Sequence, residues 1–482
     1  MKQINKDILK LAIPSILANI TVPIVGMVDI AVAGHLDAAA GGASVATMIG
    51  GIAIGTMLFD LLYWNFGFLR VGTGGLAAQA FGRGDRRDCA RILARSGGIA
   101  LACAMVLILI QWLFVKAAFL FVDCTPEVRD LASRYFFIRI WAAPATLGLM
   151  AFKGWFIGMQ DSVSTMVVDL VVNGMNVLMS IVLALGLSFG VSDAGDLQWL
   201  IRPMGFSGIA LGTVVAQYSG LAVALLILML KYRRTTVALL DHEDIKGLFR
   251  GAETRRFFVM NTDLFVRSLC FIAIYIGFTV ISARYGDLLL AVSSIMMKLL
   301  MIFSYFTDGF AYAGEALTGR YIGAGDRPML RQTVRWTFAW SMGIAFLFML
   351  IYHFAGVQLL RLMTSDIQVV EGSKEYLPWL LLMPLIGCAA FTWDGIYIGA
   401  TASKAIRNSM LWAVVAFSAV WFAGIICLNL NLTGAPTDNS AASGGTDVYG
   451  RIAMHILMAA YFAHLLARTI YLSVRWRRTI SI

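Results

Sequence analysis

The chain reads as an all-α polytopic membrane protein of twelve helices in two pseudo-symmetric six-helix halves, and three observations predict this. First, 59% of its 482 residues are hydrophobic and only 14% are charged, where a soluble domain carries about 25% charge. Second, the apolar residues come in continuous runs of roughly twenty, long enough to cross a ~30 Å hydrocarbon layer as helices. A transmembrane β-barrel would instead show alternating segments of about ten residues. Third, the two halves repeat each other at a common offset.

The apolar runs fall at 8–34, 45–70, 91–115, 131–157, 162–188 and 205–231, then at 257–283, 288–316, 332–355, 374–398, 405–430 and 450–474. The first follows Lys2, Lys6 and Lys10, as a signal peptide would, but it is too long for a cleavable apolar core and reads as a retained helix. Alternate connections differ in basic charge. One set holds Lys2 to Lys10, Arg83 to Arg95, Lys231 to Arg256, Arg320 to Arg335, Lys404 with Arg407, and Arg475 to Arg478, while the other set holds fewer: Lys116, Arg129, Arg134, Arg202, Arg284, Arg361, Lys374 and Arg451. Positive charge concentrates on the cytoplasmic side of membrane proteins. Both termini and the 232–256 connection are therefore expected in the cytoplasm, with the chain multi-pass in the cell's inner membrane. The net charge of +10 is accounted for by these loops and does not call for nucleic acid.

Leu76–Asp85 matches Leu317–Asp326, with the Leu, both glycines and the Asp in register at an offset of 241 residues. Gly154-Trp-Phe-Ile-Gly158 matches Gly395-Ile-Tyr-Ile-Gly399 at the same offset, and Tyr135 pairs with Tyr376. Each half has an even number of spans, so both insert in the same orientation, as parallel repeats with a substrate site expected between them near the midplane. The expected organisation is an N-terminal lobe at 1–231, a cytoplasmic linker with a surface helix at 232–256, and a C-terminal lobe at 257–482. Residues 431–446 read as a flexible external loop rich in Gly, Ser, Thr and Pro.

Asp29 lies within the first apolar run. A carboxylate at the centre of a bilayer costs about 2.5–3.5 kcal/mol on insertion scales, so its default reading is a functional group facing a cavity. The alternative is a neutral Asp that ties helices together by hydrogen bonds. Asn173 and Asn176 lie one turn apart on one face of the fifth span, with Ser180 continuing that face, and both asparagines are expected to hydrogen-bond Asp29. Asp60 is a further candidate on the same lobe. Met27 and Met175 are candidates to line an adaptable cavity, because Met repacks around varied shapes. Arg267 and Lys298 are expected to pair with Asp308 or Glu315.

The string Asn19–Asp37 closely resembles the first helix of MATE (multidrug and toxic compound extrusion) transporters of the DinF-like branch. Phe68–Gly82, Gly154–Gln160, Asp308–Glu315 and Gly323–Asp326 resemble that branch too, so the likeness runs through nearly the whole chain. The resemblance implies two six-helix lobes forming a V around a central cavity. It implies export of small amphipathic, often cationic compounds against an inward flow of H⁺ or Na⁺. In that family the Asp of the first helix is the principal coupling residue, and it maps onto Asp29. A proline that bends this helix in some members maps onto Pro14; Pro23 is the other candidate hinge. Many members carry Asn-x-x-Asn-x-x-x-Asp on the fifth helix; Asn173 and Asn176 match, but Ser180 stands at the second carboxylate. One carboxylate alone favours H⁺ over Na⁺. On this reading deprotonated Asp29 favours the state that accepts cargo, and protonation from outside bends the helix and shrinks the cavity.

No cofactor, metal or nucleic-acid partner is expected, and the chain is expected to act as a monomer in the lipid bilayer. The five His show no ligand spacing, and Gly72-Thr-Gly-Gly75 lacks the Lys of a phosphate-binding loop, which points to secondary rather than nucleotide-driven transport. The six cysteines show no CxxC spacing and read as small core residues. The alternative function is a flippase for lipid-linked precursors of the same superfamily, which would need several Arg or Lys lining its cavity. A membrane-embedded enzyme would need clustered catalytic groups at one depth, and none is visible.

Overall fold

The computed structural model describes residues 2–36, 44–120, 122, 124–191, 197–234, 236–241, 244, 247–249, 251–364, 366–427 and 445–480. With no water in the hydrocarbon layer, each span must satisfy its own backbone hydrogen bonds, which a helix does. The first half comprises α1 (Lys2–Gly34), α2 (Val45–Trp64), α3 (Phe68–Gly82), α4 (Arg86–Ala118), α5 (Pro126–Arg139), α6 (Ala143–Gly158), α7 (Ser162–Leu185) and α8 (Phe206–Ile227). The second comprises α9 (Ala252–Ala283), α10 (Asp287–Ala324), α11 (Arg327–Met363), the short α12 (Ile367–Lys374), α13 (Leu377–Gly399), α14 (Ser403–Cys427) and α15 (Gly445–Thr479). Single 3-10 turns join α2 to α3 and α5 to α6, so each pair forms one membrane-length element. Twelve helical elements among the described residues are long and apolar enough to cross a membrane.

The count agrees with the sequence, but the ends differ. The second element runs from Val45 to Gly82 and the ninth from Arg327 to Met363, both past the apolar stretch. Polar N-caps set where α4 and α11 start: the carboxylates of Asp85 and Asp326 accept from the backbone N–H of Asp88 and Met329 at 2.8 and 3.0 Å. The fifth element ends earlier than expected. Gly186 takes φ of +81°, and a hairpin follows, β1 (Leu187–Val191) paired antiparallel with β2 (Leu197–Ile201). The sequence reading missed this hairpin because β1 continues the apolar run. The loop expected at 431–446 lies mostly outside the described residues. Of the surface helix expected in 232–256, the described residues show a 3-10 turn at Val237–Leu239 and helical backbone at Asp244 and Gly247, before α9 begins at Ala252.

Contacts divide the chain into two units, residues 17–256 and residues 1–16 with 257–482. α1 is thus shared, and the division falls between Ile16 and Leu17, two residues past Pro14. The core of the 17–256 unit gathers Trp155, Phe156, Val168 and Tyr232, with the Trp155 indole donating to the carbonyl of Cys89 at 2.8 Å. The core of the other unit gathers Phe303, Phe348, Tyr352, Tyr376 and Tyr461. In it the Tyr352 hydroxyl donates to the carbonyl of Leu299 at 2.6 Å.

The repeat is visible in packing. A methyl group on Gly154 would lie 2.1 Å from the carbonyl oxygen of Arg70, and one on Gly395 would lie 2.1 Å from that of Ala311. Gly158 and Gly399 meet Gly74 and Glu315 at 2.7 and 2.2 Å in the same way. All four contacts are related by the 241-residue offset. So, among the described residues, are the two non-glycine residues with left-handed backbone, Gln160 at φ 63° and Thr401 at φ 54°. Small residues let membrane helices approach backbone to backbone, and here they seal α3 to α6 and α10 to α13.

The connection after α8 docks on its own unit. Arg87 donates to Asp241 and Asp244 at 2.7 and 2.8 Å, Arg91 also grips Asp244, and Arg95 donates to the carbonyl of Leu248 at 2.9 Å. The Arg87 guanidinium, the Asp241 N–H and Arg91 together hold the Asp244 carboxyl well below the usual carboxylate range.

Gly154→Ala and Gly395→Ala are each expected to cost about 1–3 kcal/mol by overpacking against backbone, read as a lower unfolding temperature in detergent. A carboxyl with a depressed folded-state pKa contributes above its unfolded value near 3.9 and loses that contribution as pH falls. Hydrogen exchange in 236–249 should therefore stay slow at neutral pH, and rise in Asp244→Asn, in high salt and below about pH 4.

Candidate coupling site

Asp29 is 6% exposed. Its Oδ1 accepts from the Ser180 hydroxyl of α7 at 2.9 Å. The residue that departs from the two-carboxylate pattern is thus the one that holds the remaining carboxylate. Two turns earlier on each helix, the Asn173 amide donates to the Thr21 hydroxyl at 2.5 Å. From Thr21 to Asp29 is about 12 Å of helix rise and from Asn173 to Ser180 about 10.5 Å. The two helices therefore run parallel with matched rungs, Thr21 to Asn173 and Asp29 to Ser180.

This geometry corrects one expectation. The asparagines make their hydrogen bonds away from Asp29. Asn173 sits a full two turns from the level of Asp29, and Asn176 turns toward α8, where its amide donates to the Thr213 hydroxyl at 2.9 Å. The Asn176 side chain is 2% exposed, and its Oδ1 has no hydrogen-bond partner. A deeply buried acceptor one turn from Ser180 thus lacks a donor, a costly state that a proton carrier or a water would relieve.

Other candidates fall at different places. Asp60 of α2 is exposed, and Arg139 at the end of α5 acts electrostatically on both Asp29 and Asp60. The Arg139 guanidinium lies over the Phe59 ring at 4.8 Å and donates to the Tyr135 hydroxyl at 3.1 Å. Met27 is 65% exposed and Met175 half-buried. α1 remains helical through both Pro14 and Pro23. Each proline removes the N–H that would bond four residues back, so α1 carries two places where it bends at low cost. Lys153 pairs with Asp169.

In the second unit, Arg267 pairs with neither of its expected partners through any such bond; it donates to Asp394 at 2.8 Å, and Arg468 of α15 donates to the same oxygen at 2.5 Å. Asp394 sits on α13, between α9 and α15, so the tie runs across three helices. Arg468, with Thr21 and Thr213, was missed by the sequence reading. A lone Thr in an apolar run carries no signal of its own, whereas an Arg in the middle of the twelfth run did, and went unweighed. Among the described residues, no group of three or more His, Cys, Asp or Glu is placed to hold a metal ion.

Thr213→Val leaves the buried Asn176 amide with neither end bonded. It is expected to destabilise the protein by about 1–3 kcal/mol, and Asn176→Leu with Thr213→Val together by less, which a thermal double-mutant cycle would read.

Comparison with known proteins agrees with this layout. The MatE family model matches residues 14–182 and again 264–428. DNA damage-inducible protein F of Escherichia coli (strain K12) is 33% identical over 416 residues, covering 86% of this chain and 84% of the relative. A probable multidrug resistance protein NorM of Photorhabdus laumondii is 23% identical, covering 99% and 97%. A crystal structure of MATE in the bent conformation superposes with a TM-score of 0.76 at 13% identity, over 99% of this chain and 96% of that one. The chain belongs to the MatE family of multidrug and toxic-compound efflux transporters.

Proposed function

We propose that this protein is a secondary antiporter that exports amphipathic, cationic compounds in exchange for H⁺, coupled through Asp29. The observation that carries the reading is Asp29, the carboxylate of α1 buried at membrane depth, which accepts its hydrogen bond from a neutral hydroxyl, that of Ser180. A carboxylate there is expensive unless its charge is used. One carboxylate with a hydroxyl neighbour suits a proton better than Na⁺, which favours several oxygen ligands and more negative charge. Negative Asp29 accepts a cationic cargo; proton uptake removes that attraction and releases it. The prolines of α1 supply the bend, and a protein of the same fold is known in a bent conformation. The alternating basic loops support an inner-membrane location with both termini cytoplasmic, and each chain carries a complete set of these residues, consistent with a working monomer.

The test is efflux from everted vesicles. Asp29→Asn should lose about tenfold or more of the rate, since an amide carries no titratable proton. Collapsing the pH gradient should stop wild-type transport, and Na⁺ should have no effect. Ser180→Asp restores a second carboxylate and should make transport Na⁺-sensitive. Near-normal, gradient-dependent transport by Asp29→Asn would end the proposal.

A further inference from the structure

The internal repeat builds a second groove, of opposite character. Asn173, Asn176, Val177, Ser180 and Ile181 of α7 correspond, 241 residues on, to Val414, Phe417, Ser418, Trp421 and Phe422 of α14. All five of the latter line one cavity of about 390 Å³ between α14 and the C-terminal end of α9. The counterpart of Asp29 is Cys270. Where one half carries a carboxylate, two amides and a hydroxyl, the other offers three aromatic rings.

The size falls within the range of about 300–1,000 Å³ typical of small-molecule sites, which are mostly apolar with a few polar groups. Trp421 is 5% exposed and braced edge-on by the Tyr285 ring at a centroid distance of 6.3 Å, so it forms a fixed wall. Gly277 lines the opposite side. A methyl group there would meet nothing closer than Phe417 at 4.0 Å, so the space between the walls is open. Among the described residues, the lining holds one hydroxyl, Ser418, one charged group, Arg284, which is exposed just past the end of α9, and no carboxylate. Flat aromatic walls favour a planar ring system, and a lone guanidinium favours an anionic group at its edge.

We propose that this groove binds a planar aromatic compound carrying a carboxylate. The assignment goes beyond the coupling reading and does not depend on it.

The test uses the full-length protein in nanodiscs, titrated calorimetrically with 2-naphthoate, neutral 2-acetylnaphthalene and cationic 2-naphthylmethylammonium. The expected order of affinity is carboxylate, neutral, cation. Trp421→Ala should weaken 2-naphthoate about tenfold or more, through loss of the ring wall. Arg284→Gln, at an exposed position, should lower only the carboxylate, by about two- to fivefold, and erase its advantage over the neutral compound. Asp29→Asn should leave 2-naphthoate binding unchanged, so failure here and failure of the coupling reading give different results. Equal binding of all three compounds, or no loss in Arg284→Gln, overturns the proposal. So does a tightly held phospholipid, seen by native mass spectrometry, that 2-naphthoate does not displace and Trp421→Ala releases.

Discussion

Hydrocarbon offers no hydrogen bonds, and each polar group placed in it must find a partner within the protein. The helices follow from this for the backbone, and the side-chain rungs follow from it for the few polar residues that remain. Thr21 with Asn173, Asp29 with Ser180, and Asn176 with Thr213 are three such rungs, and together they fix the level of α1 against α7 and of α7 against α8. In the second unit one carboxylate, Asp394, serves two guanidiniums. The two polar sets differ in kind. Asp394 is locked by permanent cations, while Asp29 meets a neutral hydroxyl. On the proposed reading, this difference is what leaves the charge of Asp29 free to change.

Steric and polar constraints have separated in the two halves. The contacts of Gly154 and Gly395 with carbonyl oxygens have the same geometry, and the caps at Asp85 and Asp326 do the same work. The faces of α7 and α14 share nothing but their positions. Packing at a backbone seam admits one solution, a residue without a Cβ, because overpacking there has no side chain to move. A groove wall admits many solutions, and each half has taken its own.

Much of this was legible in the sequence. The number of spans and the repeat follow from hydropathy, charge and spacing, and the choice of Asp29 as a candidate follows from its place in an apolar run, signals that depend on one segment at a time. Helix ends were less legible: α2 through α3 continues to Gly82, and α4 starts at its N-cap Asp85, and no apolar count registers a cap. The partners of Asp29 were legible only in part. Spacing placed Asn173, Asn176 and Ser180 on one face, but which of them stands level with Asp29 depends on the offset between two helices, and that is a tertiary quantity. The pairing of Arg267 with Asp394 was hidden for the same reason, since the two lie 127 residues apart.

The matching seams bear on how such a protein can be rebuilt. The seams of Gly154 and Gly395 are alike, but Gly208 and Gly212, which press against Leu183 and Ser180 of α7, have Tyr449 and Ala453 as their counterparts. A side chain moved from α7 to its counterpart on α14 therefore enters different surroundings. For a designer, the seams are the parts that can be exchanged between halves, and the faces of α7 and α14 are not.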